Sequence, residues 1–214
     1  ETDSKGRIIL LTNEVKNNVI IYDKAGKLLT TWGHEYPGAH GLTLFNENGT
    51  DVLFICDNSR HQVIKTTIDG RVLLVLDYPK ETGQYTKATE YVPTETAIAP
   101  NGDIYVADGY GSNYIIQYNS KGQYIRHFGG SKNANPDHNL RCAHGVAIDN
   151  RDKNNPTLIC TSREENCFKV FTLDGKFLHR IDTPGMHVCR PVLNEGNLYA
   201  GVCWSNDPAG KMIG

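Results

Sequence analysis

Four side chains of this 214-residue sequence have types that could share one reaction: His40, Tyr110, His144 and Arg163. Two converging imidazoles offer a borderline divalent metal such as zinc two nitrogen ligands, where a catalytic zinc takes three protein ligands and keeps one open position. A phenol can act as general base toward a substrate hydroxyl. Free phenols ionise only near pH 10, so such a base needs a cationic neighbour, and an arginine or a metal would serve. An arginine can also clamp a carboxylate bidentately. The set suits a reaction in which a substrate hydroxyl loses its proton while a neighbouring bond breaks. A metal on the hydroxyl oxygen lowers its pKa and stabilises the developing charge.

These residues must be held by something, and the sequence supplies a repeat. Four stretches end alike: "VIIYDKAGKLLTTWG" (19–33), "QVIKTTIDGRVLLVLD" (62–77), "YIIQYNSKGQYIRHFG" (114–129) and "CFKVFTLDGKFLHRID" (167–182). Each reads as a strand, a polar turn with a glycine (26, 70, 122, 175), then another strand. A matching strand pair precedes the last three: "HGLTLFNENGTDVLFICD", "TETAIAPNGDIYVADG" and "HGVAIDNRDKNNPTLICTS". Short alternating strands separated by Asn, Asp and Gly predict hairpins. Four antiparallel strands per unit, repeating every 44 to 53 residues, predict an all-β fold, a β-propeller of four-stranded blades. The expected blade segments are 6–33, 40–78, 94–129, 144–182 and 188–214, about four and a half blades in one domain. Because a propeller must close its ring, the expectation is a piece of a six-bladed protein.

The repeat places the chemistry. The inner strand of each blade lines a central channel, and aligning the units puts His40, Thr94 and His144 in register, with Val188 next and His187 beside it. A second reading of the two "HG" pairs stays open, a strand-entry motif in which histidine caps a turn or stacks in the channel. Tyr110 sits in the hairpin "VADGYGSNYIIQY", between Gly109 and Gly111, which read as ordinary turn residues. The same turn in other units, "ICDNSRHQ" and "CTSREENC", has no tyrosine. Tyr110 is therefore something one blade adds, either for chemistry or as an aromatic cover. Arg163 emerges one blade away, with a surface ion pair to Glu164 or Glu165 as its other reading. Asp57 and Asp108 end second strands and are expected to accept backbone N–H groups in their turns. His34, His127 and His179 fall on outer strands, His138 in a polar loop, and His61 after a turn.

Composition narrows the partners. A net charge of −2 from 22 basic and 24 acidic residues offers no basic field for nucleic acid and no polybasic membrane patch. The apolar runs are too short to span a bilayer as helices. The expected partner is a small-molecule or peptide ligand at the channel mouth of a monomer. Six cysteines without a CxxC pair leave disulfides and buried thiols equally open. Asn48-Gly49-Thr50 matches a glycosylation sequon.

The segments "HGLTL" (40–44), "HQVIK" (61–65), "VADGYGSNYIIQY" (106–118), "HGVAI" (144–148) and "REENCFKVF" (163–171) resemble NHL-repeat propellers. Within that group they resemble the peptidyl-α-hydroxyglycine α-amidating lyase domain, which cleaves a carbinolamide to a peptide amide and glyoxylate. The resemblance implies zinc on His40 and His144, a calcium ion on the backbone carbonyl of Leu42, Tyr110 as the base and Arg163 in the active site. It also implies a secreted, periplasmic or extracellular setting. Three features of the family have no counterpart here: a His-Asp pair in the last blade, a first-blade arginine (the place is near Asn13-Glu14) and a cysteine at Gly111. A non-catalytic NHL propeller that binds a ligand at its channel mouth is the alternative.

Overall fold

This computed structural model of the chain describes residues 1–206. Its strands form five antiparallel sheets in chain order. Blade I holds β1 (Ile8–Leu11), β2 (Val19–Tyr22) and β3 (Leu28–Trp32). Blade II holds β4 (Ala39–Glu47), β5 (Thr50–Asp57), β6 (Gln62–Thr67) and β7 (Val72–Leu76). Blade III holds β8 (Glu95–Ile98), β9 (Ile104–Ala107), β10 (Tyr114–Tyr118) and β11 (Tyr124–Gly129). Blade IV holds β12 (Val146–Asp149), β13 (Thr157–Ser162), β14 (Cys167–Thr172) and β15 (Phe177–Asp182). Blade V is a hairpin of β16 (Met186–Asn194) and β17 (Asn197–Ser205). The chain is thus a partial β-propeller. The expected last segment, 188–214, starts two residues inside β16, and its residues 207–214 lie outside those described.

The last hairpin of each of blades I to IV shows why the repeat has its sequence. The residue five positions before the last strand of each of these blades, Asp23, Thr67, Asn119 or Thr172, accepts a side-chain hydrogen bond from the N–H of Lys27, Arg71, Gln123 or Lys176 at 2.9–3.0 Å. The glycine between them adopts a φ of 80–92°, a conformation that a Cβ disfavours. Three of these glycines, 70, 122 and 175, also leave room for the preceding blade. A Cβ on Gly70 would meet the Trp32 ring at 2.9 Å, one on Gly122 would meet Leu76 at 2.8 Å, and one on Gly175 would meet the Phe128 ring at 2.5 Å.

Apolar clusters lie between successive blades and not only within them. Leu42, Leu53, Ile55 and Ile64 of blade II pack with Ile9, Val19 and Ile21 of blade I. Ala107 and Ile115 of blade III pack with Val146, Leu158 and Phe171 of blade IV. Each such fully buried aliphatic or aromatic side chain contributes about 1.5–3 kcal/mol. The last strands of blades I, II and IV carry exposed apolar residues such as Leu28, Val72 and Leu178, as befits the outer rim. The six cysteines are free thiols, with Cys56, Cys160 and Cys167 buried. Of the two open readings for the cysteines, this is the thiol one.

Candidate active site

Tyr110, His40, His144 and Arg163 meet at one place, from three different blades. The Tyr110 hydroxyl oxygen lies 3.3 Å from Nε2 of His40 and 3.0 Å from Nε2 of His144. The three rings meet edge to face, with centroids 5.1–5.4 Å apart. The guanidinium carbon of Arg163 stands 5.5 Å from the Tyr110 ring centroid and 5.1 Å from that of Trp204, within the range of cation–π attraction.

The hairpin that raises Tyr110 is anchored by Asp108. Its buried carboxylate accepts from Val92 N at 2.7 Å, Ser112 N at 2.6 Å and the Tyr85 hydroxyl at 2.8 Å. Burial nevertheless dominates and pushes its pKa up to about 6. Asp57 does the same service in blade II, accepting from Gly38, Ser59 and Arg60 N–H groups. The two glycines around Tyr110 are more than turn residues. A Cβ on Gly109 would meet the Ala143 carbonyl oxygen at 2.3 Å, and one on Gly111 would meet the Asp108 carboxylate at 2.2 Å and the Glu90 carbonyl oxygen at 2.4 Å. They are glycines because the loop is pressed against its neighbours. Asn113, at φ 67°, accepts from Ala143 N at 3.0 Å, which ties the tyrosine hairpin to the residue preceding His144.

The imidazoles are set differently. His40 is exposed and sits at a register shift between Ala39 and Gly41 of β4. Its Nδ1 lies 2.9 Å from the Thr94 carbonyl oxygen, which can only accept, so Nδ1 carries the hydrogen and the tautomer whose lone pair is on Nε2 is the one this contact selects in the neutral ring. Thr94 fills the register position between the two histidines, and its hydroxyl reaches the Ala107 and Ala143 carbonyls at 3.1 Å each. His144 is half-buried. Burial, followed by the positive charges of Arg163 and His40, depresses its pKa to about 4, so it is neutral at physiological pH. Its Nδ1 is buried without a hydrogen-bond partner among the described residues.

Arg163 opens the 3-10 turn Arg163–Glu165 after β13 and is only 8% exposed. Burial opposes its charge, but the Tyr110 hydroxyl and the Cys142 and Cys203 thiols outweigh that and raise its pKa. Its Nη1 lies 3.7 Å from Cys203 Sγ. The surface-pair reading survives only as a 3.7 Å approach of Nε to Glu164, because the guanidinium itself is inside. His187 is buried, its ring stacked on Trp204 at 4.8 Å. The roles of Thr94, Trp204 and the thiols beside Arg163 carry no motif in the sequence. The register alignment marked Thr94, but its carbonyl could not be read from its type.

Two imidazole nitrogens aimed at one point, one of them with its other ring nitrogen tied to a carbonyl, fit two ligands of a zinc site. Among the described residues no group of three or more His, Cys, Asp or Glu converges for a metal. The Leu42 carbonyl points elsewhere, to the guanidinium of Arg190 at 2.8 Å.

Fold and site together define a β-propeller with an imidazole, phenol and guanidinium cluster where its inner strands begin. Its relatives add a chemistry. Over 108 residues, 49% of this chain and 19% of the relative, it is 35% identical to peptidyl-alpha-hydroxyglycine alpha-amidating lyase 1 of Drosophila melanogaster. Over 140 residues, 64% of this chain and 38% of the relative, it is 28% identical to a probable lyase of the same name from Caenorhabditis elegans. The chain is a divergent, lyase-like propeller resembling that domain, and the matches span less than two fifths of these relatives' length. No family model matches. Virginiamycin B lyase from Staphylococcus aureus superposes over 97% of this chain and 66% of its own, with a TM-score of 0.66 at 15% identity. A gluconolactonase from Xanthomonas campestris does so over 94% and 67%, with a TM-score of 0.65 at 18% identity. These two similarities speak to the fold alone.

Proposed function

We propose that this propeller cleaves a peptidyl-α-hydroxyglycine-type carbinolamide to an amide and glyoxylate. One observation carries the reading: the Tyr110 hydroxyl stands within hydrogen-bond distance of both His40 Nε2 and His144 Nε2, with Arg163 against its ring. Tyr110 takes the proton of the substrate hydroxyl, and its 43% exposure leaves the ring reachable. Arg163 supplies the positive charge that a phenolate base requires, and its fork is suited to a substrate carboxylate. His40 and His144 are both able to present neutral nitrogens and would hold zinc, which when bound supplies Lewis acidity toward the substrate oxygen. Thr94 orients His40 through its carbonyl, and Asn113 keeps the tyrosine hairpin in step with His144. A monomer acting on a peptide or small-molecule ligand, in a secreted, periplasmic or extracellular setting, belongs to the same reading.

The test uses the complete protein, loaded with zinc and given N-benzoyl-α-hydroxyglycine. Glyoxylate release above the spontaneous rate is expected, with about one zinc per chain by elemental analysis. Both are expected to vanish in a folded His40→Ala/His144→Ala double variant. A folded, metal-free protein that releases no glyoxylate would leave the alternative, a propeller that binds ligands through the exposed faces of Tyr110 and Trp204.

A further inference from the structure

A guanidinium sits where three blades approach one another. Arg190, on β16 of blade V, donates from Nη1 to the Leu42 carbonyl oxygen of blade II at 2.8 Å. Its Nη2 donates to the Glu1 carboxylate at 2.7 Å. Its Nε lies 3.4 Å from Oε2 of Glu95 in blade III. Glu95 is 5% exposed, and its other oxygen accepts from the Thr43 hydroxyl at 2.9 Å and from Thr96 N at 3.1 Å. Blade IV closes on the backbone at this point, since a Cβ on Gly145 would meet Arg190 Cα at 2.6 Å.

A backbone carbonyl and two carboxylates are hard oxygen donors of the kind a calcium ion gathers, six to eight at a time. Here they face a permanent cation that belongs to the chain. A divalent ion on the Leu42 carbonyl would share that oxygen with the guanidinium and be repelled by it at short range. Calcium therefore does not fit beside Leu42 as these residues stand. We propose that Arg190 occupies a cation site: its guanidinium takes the place of the divalent ion that the lyase resemblance puts on Leu42, and the tie between blades II, III and V needs no calcium. Arginine suits the task because its charge is never lost and its five donors form a fixed fork that reaches several oxygens at once. The inference takes the position of the ion from the lyase resemblance, and its test reads stability and not turnover, so it can fail or stand apart from the proposed reaction.

The complete protein is stripped with a chelator, titrated with calcium and melted. Its midpoint is expected to move by less than about 1 °C. Arg190→Ser frees the Leu42 carbonyl and the Glu95 carboxylate. That variant is expected to melt lower and to regain about 5–10 °C at a hundredfold excess of calcium over its dissociation constant. Calcium stabilisation of the unsubstituted protein overturns the proposal without any variant, so the question is decided even if Arg190→Ser does not fold. A folded Arg190→Ser that ignores calcium overturns it as well, because Arg190 would then be an ion-pair partner and not the occupant of a cation site.

Discussion

The same strand, β4, serves two regions that treat charge in opposite ways. At its start, His40 reaches an exposed place where two imidazole nitrogens and a phenol converge and, among the described residues, no carboxylate completes a metal-binding group. Two residues on, Leu42 is buried and its carbonyl is already taken by Arg190. The first region gathers two imidazole nitrogens around one phenol hydroxyl at an exposed place, which is what the proposed reaction requires. The second saturates its oxygens with a cation from the chain itself, which is what a structural joint requires. Position in the repeat therefore does not decide role. Exposure and the partners brought in by other blades do.

Three measurements press on that contrast. The largest effect is expected at the open site. Tyr110→Phe removes one exposed hydroxyl and should lower glyoxylate release by about 10²–10⁴-fold while leaving the melting midpoint in place. Activity within tenfold of the parent would show that the phenol is only a cover. Next comes Gly111→Ala, whose added methyl meets Asp108 and Glu90 at 2.2–2.4 Å. Overpacking of this kind destabilises by about 1–3 kcal/mol, so denaturant unfolding should show that loss together with reduced turnover, because the hairpin carrying Tyr110 shifts. An unchanged unfolding midpoint would mean that the loop relaxes freely.

The smallest effect is expected at the closed joint. Burial raises the Glu95 pKa to about 7, with Arg190 pulling the other way. A carboxyl whose folded pKa exceeds its unfolded value gives stability that is full below about pH 4.5 and is lost as pH rises through about 7. Between pH 5 and pH 8 the unfolding free energy should fall by about 1–2 kcal/mol more in the parent than in Glu95→Gln. Parallel pH profiles would show that Arg190 holds Glu95 ionised throughout.

The blades were legible because each hairpin repeats its own local chemistry: a side-chain acceptor, a glycine and a basic or amide residue. Tyr110 was legible as a departure from that pattern. His40 and His144 could be placed together because equivalent positions of a repeat share one face. What could not be read is what crosses between blades. Gly109 and Gly111 look like turn glycines, yet the atoms that require them at closest approach include the Ala143 and Glu90 carbonyls. Arg190 sits 148 residues from Leu42, and neither residue signals the other, since a backbone carbonyl has no sequence signature. The disulfide question was open for the same reason, as cysteine type alone does not say which thiols the fold brings together.

The glycine of each outer hairpin has a consequence for how such a protein grows. Gly70, Gly122 and Gly175 each act as a socket, and Trp32, Leu76 and Phe128 of the preceding blade are the knobs that fill them. A unit carries its socket in one hairpin and its knob on the last strand. A tandem duplication of one unit therefore arrives with both halves of the joint already made. New blades can be appended by copying, with no interface to invent, and the inner ends of the strands stay free to diverge into a site such as the one around Tyr110.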